Sequence, residues 1–254
     1  MSKFDQLAER IIFGNRALVL AVFALVTVAM AFFASQLKVD AGFNKQVPLQ
    51  HEYMRTFTDY MADFGGANRV LIAVMAKDGG DENGKMFSTE YMKTLENITN
   101  DVINLEATDD AKARSLFTPN VRFIEVVEDG LSGGNVIPQN FTPNLEGFEG
   151  TPEQFAKIKS NIVKAGIVGR LVAKDYSGSM VWADLIPESD VNKLDYQKVA
   201  KQLEAIRKKY ENDNTSVHII GFAKMVGDIS DGAMSVIKFF LITIAFTWIL
   251  LFLY

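Results

Sequence analysis

The sequence contains no cysteine, only two histidines (His51 and His218), two tryptophans and six prolines in 254 residues. Without cysteine there is no disulfide framework, no thiolate-based zinc site and no cysteine nucleophile. Acidic residues outnumber basic ones, 31 to 26. A formal net charge of −5 gives no electrostatic attraction for phosphate, so nucleic acid is not an expected partner. With 48% hydrophobic and 11% aromatic residues, the chain is not disordered and has enough apolar side chain for a substantial core.

Much of that apolar content lies at the two ends. Residues 17–37 form an uncharged run of 21, about 31 Å as a helix and thus the thickness of a bilayer's hydrocarbon core. A second uncharged run, Phe239 to Tyr254, follows Val236, Ile237 and Lys238 and is still apolar at the last residue. We read it as a truncated span and the chain as the N-terminal piece of a longer membrane protein. The expected organisation is a cytoplasmic amphipathic segment 1–16, with Phe4, Leu7, Ala8, Ile11 and Ile12 on one face, then a span 17–37, an outer domain 38–235 and a second span 236–254.

Charge sets the expected orientation. Lys3, Arg10 and Arg16 against Asp5 and Glu9 leave +1 in residues 1–16, and Lys238 leaves +1 in 236–254, so −7 falls in the middle segment. Basic flanks stay cytoplasmic whereas long domains cross regardless of charge, which puts residues 38–235 outside. A cleaved signal peptide with Ala29-Met30-Ala31 as its processing site is the rival reading, and the apolar run is longer than that needs.

The middle segment reads as mixed α and β. Tyr53, Phe57, Tyr60 and Phe64 mark an amphipathic helix over 51–64 that Gly65-Gly66 ends. Arg69–Ala76, apolar on both faces, predicts a strand buried on both sides. Tyr91, Leu95, Ile98, Val102 and Leu105 mark a helix capped by Ser88 or Thr89, and Val121–Glu128 predicts a strand. Residues 130–150, rich in glycine, read as a long irregular excursion. Thr151-Pro152-Glu153-Gln154 is a capping-box start for a helix over 151–164 with Phe155, Ile158 and Ile162 buried. A hairpin (170–174 with 179–186), a helix (191–210) and a strand (215–222) complete the segment, and Ala223 to Ser235 leads unbroken into the second span. Counting the hairpin's longer arm, the order strand, helix, strand, strand, helix, strand predicts an α+β, ferredoxin-like (split βαβ) sandwich.

Candidate chemistry is thin. Residues 79–85 satisfy G-x-x-x-x-G-K, but Met86 stands where a phosphate loop needs Ser or Thr, and the nearby acids would repel a triphosphate. No glutamate sits eleven residues after Asp78 or Asp81, so no calcium loop is expected. His51 and His218 read as packed or solvated residues, and Asp109-Asp110 and Glu125/Glu128 as hydrated acids. The glycosylation-type triplets at Asn97, Asn140 and Asn214 are common by chance. No catalytic, cofactor-binding or metal-binding residue is therefore assigned, and the chain is not expected to be an enzyme. Nineteen phenylalanines remain. Phe43, Phe57, Phe64, Phe141 and Phe148 lie outside the spans, either as core or lining a path for an apolar substrate.

The segments GFNKQVPLQHEY (42–53), GANRVLIAV (66–74), TPNVRFIEVVEDGLSGGNVIP (118–138) and VHIIGFAKMVGDISDG (217–232) carry a resemblance. In order and spacing around a spanning helix the chain resembles exporters of the resistance-nodulation-division (RND) superfamily, most closely the MMPL-like branch. The resemblance implies a bacterial inner-membrane, multi-pass exporter of lipophilic or lipid-like substrates driven by the proton-motive force. Residues 38–235 would be its periplasmic porter domain. It further implies membrane lipid, a lipophilic substrate and the remaining transmembrane part of the same transporter as partners, with a homo-oligomer compatible. Proton-relay acids would lie in later membrane helices, because neither run here contains an ionisable group. The ligand-sensing domain of a two-span chemoreceptor or sensor kinase is the alternative, and a secreted binding module the third reading.

Overall fold

The computed structural model describes residues 14–36, 48, 50–64, 68–78, 84–128, 130–138, 141, 144, 148–186 and 194–254. The expected amphipathic segment 4–12 lies outside them. The chain divides into two compact units, residues 1–40 and 41–254.

In the first unit, helix α1 spans Arg16–Ser35. Nothing charged follows Arg16, and Thr27 donates its hydroxyl to the Phe23 carbonyl at 2.8 Å, so its one polar side chain before Ser35 is satisfied within the helix. Leu20, Phe23, Leu25 and Val28 are all exposed. A water-soluble helix with such composition would hide these side chains.

The second unit is α+β with two antiparallel sheets. It begins with α2 (Glu52–Phe64) and continues with β1 (Arg69–Ala76), α3 (Thr89–Ile103), β2 (Arg122–Val127), β3 (Gly130–Asn135) and α4 (Pro152–Lys164). Then come β4 (Gly178–Asp184), α5 (Tyr196–Tyr210), β5 (Thr215–Gly221) and α6 (Phe222–Leu253). The main sheet has the order β4-β1-β5, with both neighbours antiparallel to β1. Val70, Ile72 and Val74 are fully buried beneath a layer that includes Leu95 and Ile98 of α3 and Val199 and Leu203 of α5. Leu71, Ala73 and Met75 alternate with them on the other face and are half-buried. The strand expected to be buried on both sides thus has one sealed face and one partly open face.

Two local starts follow the sequence closely. The Ser88 hydroxyl accepts the Tyr91 amide at the head of α3, and Thr151 and Gln154 form a reciprocal capping box at the head of α4. The α5 cap is Asp195, whose carboxylate accepts from the Lys198 amide, so that helix begins at Tyr196 within the expected 191–210.

The four-stranded sheet expected from the element order is not formed among the described residues. The strand over 122–127 pairs instead with Gly130–Asn135 in a separate two-stranded sheet, inside what read as an irregular excursion. Glycines make that pairing close. A Cβ on Gly133 would come within 2.7 Å of the Phe123 carbonyl oxygen. The vacant side of β4 is capped by an irregular stretch, in which Arg114 and Trp182 exchange backbone hydrogen bonds at 2.9 and 2.8 Å. The expected arm 170–174 is a run of turns with isolated bridges from Val172 to Val168 and to Ser179, not a full strand.

Candidate functional site

Helix α6 begins inside the domain. Gly221 ends β5 opposite Val70, and a Cβ there would lie 2.7 Å from the Arg69 carbonyl oxygen, so only glycine fits this turn from strand to helix. The first turns of α6 belong to the domain's core, because Ala223, Val226, Gly227 and Ser230 are buried. From Met234 on, the large apolar side chains are exposed, among them Phe239, Phe246, Trp248 and Leu251. The helix has no proline and no break across this change. The two apolar helices are each long and apolar enough to cross a membrane, with windows of mean hydropathy 2.7 and 2.5.

Close packing and charge fasten the root of α6 to α5. A Cβ on Gly227 would approach the Ala200 Cβ to 2.0 Å, so the two backbones meet there at a distance that only glycine permits. One turn away, Lys224 is 16% exposed and holds Asp228 at 2.5 Å and Glu204 at 3.5 Å. Glu204 is in turn gripped by the Arg207 fork, at 2.5 Å through one terminal nitrogen and 3.0 Å through Nε. The Arg207 guanidinium holds the Glu204 carboxyl below the usual carboxylate range, with Lys224 adding to the effect. Helix α5 is tied onward to α3, since Asp101 accepts from both Lys209 and the Tyr210 hydroxyl at 2.8 Å. Helices α5 and α6 are thus joined by a packed and ion-paired contact.

The residues weighed for chemistry stay dispersed. Lys85 donates its ammonium to the Lys77 carbonyl and Met86 is fully buried, so the described part of the G-x-x-x-x-G-K stretch is structural; residues 79–83 lie outside the described set. His51 sits at the start of α2, where its ring stacks on Tyr53 at 5.2 Å, and His218 is exposed on β5. Asp109 pairs with Lys112, and Glu125 with Lys164. Asn97 accepts from Asn144 and Asn214 donates to Glu90, while Asn140 lies outside the described residues. Among the described residues, no group of three or more His, Asp or Glu is placed to hold a metal ion. Phe141 and Phe148 pack against the domain core, as core residues do; Phe43 lies outside the described residues.

Two buried polar groups stand out on α3: Tyr91, which the sequence already places on the helix's apolar stripe, and Glu96, which it does not. The Tyr91 hydroxyl donates to the Val74 carbonyl at 2.8 Å and accepts the Ser179 amide at 2.7 Å, bridging β1 and β4, and burial pushes its ionisation far upward. Glu96 is buried on α3, accepts the Asn144 amide at 3.2 Å, and is pushed up by burial, which outweighs that hydrogen bond. Glu96 falls on the same helical face as Met92 and Thr99, and that spacing was the one signal that could have found it. Neither a protein-family model nor a curated protein sequence matches this chain.

Proposed function

We propose that this chain supplies the periplasmic porter domain and two membrane helices of an RND-type, MMPL-like exporter, which moves lipophilic or lipid-like substrates out of a bacterial inner membrane at the expense of the proton-motive force. The observation that carries the reading is the unbroken course of α6 from the domain core at Ala223 into an apolar segment, clamped to α5 by Lys224 and Glu204. Coupled export needs a rigid link between a moving membrane bundle and an outer domain, and a packed helix of this kind is such a link. The sheet supports the reading as well. Strands β4 and β5 flank β1 and are joined through α5, a split βαβ arrangement that a ferredoxin-like domain would contain. The second such arrangement is opened by the withdrawal of β2 into its own hairpin.

The same continuous helix favours the alternative, a two-span ligand sensor that passes a signal along α6. Transport separates the two. Membrane vesicles from cells that make the native protein should show outward movement of a fluorescent phospholipid that depends on an imposed pH gradient. That movement should be lost when the gene is deleted or a protonophore is added. Movement indifferent to both would contradict the exporter reading.

A further inference from the structure

The hairpin β2–β3 stands apart from the main sheet, with one strand edge and one face unused among the described residues. Its pairing runs from Arg122 opposite Asn135 to Val127 opposite Gly130, and just before it the Val136 amide donates to the Val121 carbonyl at 3.5 Å. Odd-numbered residues of β2 therefore bond to β3, while the backbone groups of Arg122, Ile124 and Val126 point to the other edge. Among the described residues, nothing on the backbone bonds to them there. The same even-numbered residues share a face, on which Ile124 is 71% exposed, Val126 85% and Leu131, opposite Val126, 77%. Arg122 stands at one end of that face and Glu128, the first residue of the turn, at the other; both are exposed. The reverse face is turned to α4, where Lys164 pairs with Glu125 at 2.5 Å and lies over the Phe123 ring. A two-stranded ribbon with an open edge is marginal alone and is completed by further strands.

We propose that a second copy of this chain completes it: β2 pairs antiparallel with β2 of the partner subunit about a two-fold axis through Glu125, giving a four-stranded sheet in the order β3-β2-β2-β3. The exposed face, Arg122, Ile124, Val126 and Glu128, is its own complement when read in opposite directions. Arg122 falls opposite Glu128 of the partner subunit and Ile124 opposite Val126 of the partner subunit, each twice by symmetry. Their backbone groups are also the ones that face outward, so the register that matches the side chains matches the hydrogen bonds. Ile124, Val126 and Leu131 of both copies then form one apolar strip. A slip of two residues would set Ile124 against Glu128 or Arg122 against Val126, which fixes the register. The one meeting of like charges is Glu125 with its symmetry mate, and each carboxylate brings its own Lys164. The pairing applies to an exporter and a sensor alike, so its failure leaves the proposed function untouched.

Because the chain has no native cysteine, each engineered thiol is the only one. Ile124→Cys, Glu125→Cys, Val126→Cys and Ser132→Cys are made in the whole chain, purified in detergent and mildly oxidised, and disulfide dimers are read on a non-reducing gel. Residues that face each other across the axis stand about 4.5–5.5 Å apart at Cα, within reach of a disulfide. Glu125→Cys should therefore cross-link to itself. Ile124→Cys and Val126→Cys should cross-link poorly alone and well when differently tagged forms of the two are mixed. Ser132→Cys, three strand spacings or about 14 Å from its mate, should stay monomeric. Without oxidation, sedimentation should show Arg122→Glu to associate about tenfold more weakly than the native chain, because two cross-strand pairs become repulsive. Adding Glu128→Arg to that variant should restore association. A native chain that sediments as a monomer, with no dimer at position 125, would overturn the proposal. Cross-linking at 132 instead would place the contact on the β3 edge and overturn it too, and equal yields at all four positions would reduce it to random collision. A double charge swap that restores nothing would refute the register.

Discussion

A Cβ placed on Gly227 would stand 2.0 Å from the Cβ of Ala200, so α5 and α6 touch backbone to backbone at the point where the domain hands over to its apolar helix. In an exposed helix, glycine to alanine stabilises by about 1 kcal/mol. Here the sign should reverse. Gly227→Ala is expected to destabilise by about 1–3 kcal/mol through overpacking. Ala200→Gly in the same chain should recover most of the loss. Thermal unfolding in detergent followed by circular dichroism checks both, and an unchanged or raised midpoint for Gly227→Ala would show that the helices part freely.

Acid should loosen the same junction. Arg207, and secondarily Lys224, lower the folded-state pKa of Glu204 below its unfolded value. Its contribution is therefore present above the unfolded carboxylate range and lost as pH falls through the lower folded value. Glu204→Gln should lose stability at neutral pH and flatten the decline of the melting midpoint below about pH 4. Parallel acid profiles of the two proteins would show that the carboxylate is idle.

Glu96 should behave in the opposite way. Burial raises its pKa, so the folded state favours the neutral acid, a benefit complete below the unfolded pKa and lost as pH rises through the folded one. Glu96→Gln keeps an oxygen for the Asn144 amide and removes the buried charge. It should therefore melt higher than the native chain at pH 7 and equal to it at low pH, as a pH series of melts would reveal. A lower midpoint at pH 7 would mean that the carboxylate is stabilised by contacts stronger than its burial.

The chain by itself should not conduct protons. Residues 17–37 and 239–254 contain no ionisable side chain before the chain terminus, and a proton relay within the bilayer requires one. Vesicles carrying the purified 254-residue chain should hold an imposed pH gradient as long as empty vesicles do, read with an entrapped pH dye. Faster decay in the protein-bearing vesicles would place the proton machinery in this chain.

Much of this architecture is legible in the sequence where one physical signal dominates. Thr151-Pro152-Glu153-Gln154 announces a helix start because its capping chemistry is local, and RVLIAVMA announces a strand because little else accommodates that run. The hairpin β2–β3 was missed because Gly130, Gly133 and Gly134 erase the β-branched signal while easing close strand pairing. The displacement of β2 from the main sheet was illegible for another reason. It depends on residues 107–114 reaching the β4 edge, a long-range competition that no local pattern records. At the junction, the lysine-rich face of α5 and the glycine in α6 were visible, but their meeting at Ala200 and Glu204 was not. Pairings between distant helices leave no periodic trace.

The account stands on residues 38–235 lying outside a membrane between two spans, and surface labelling tests that directly. In spheroplasts, Asp213→Cys, in the exposed turn before β5, should react with a membrane-impermeant maleimide without lysis. Ser2→Cys should react only after lysis. Labelling of position 2 in intact spheroplasts, with position 213 protected until lysis, would contradict the account.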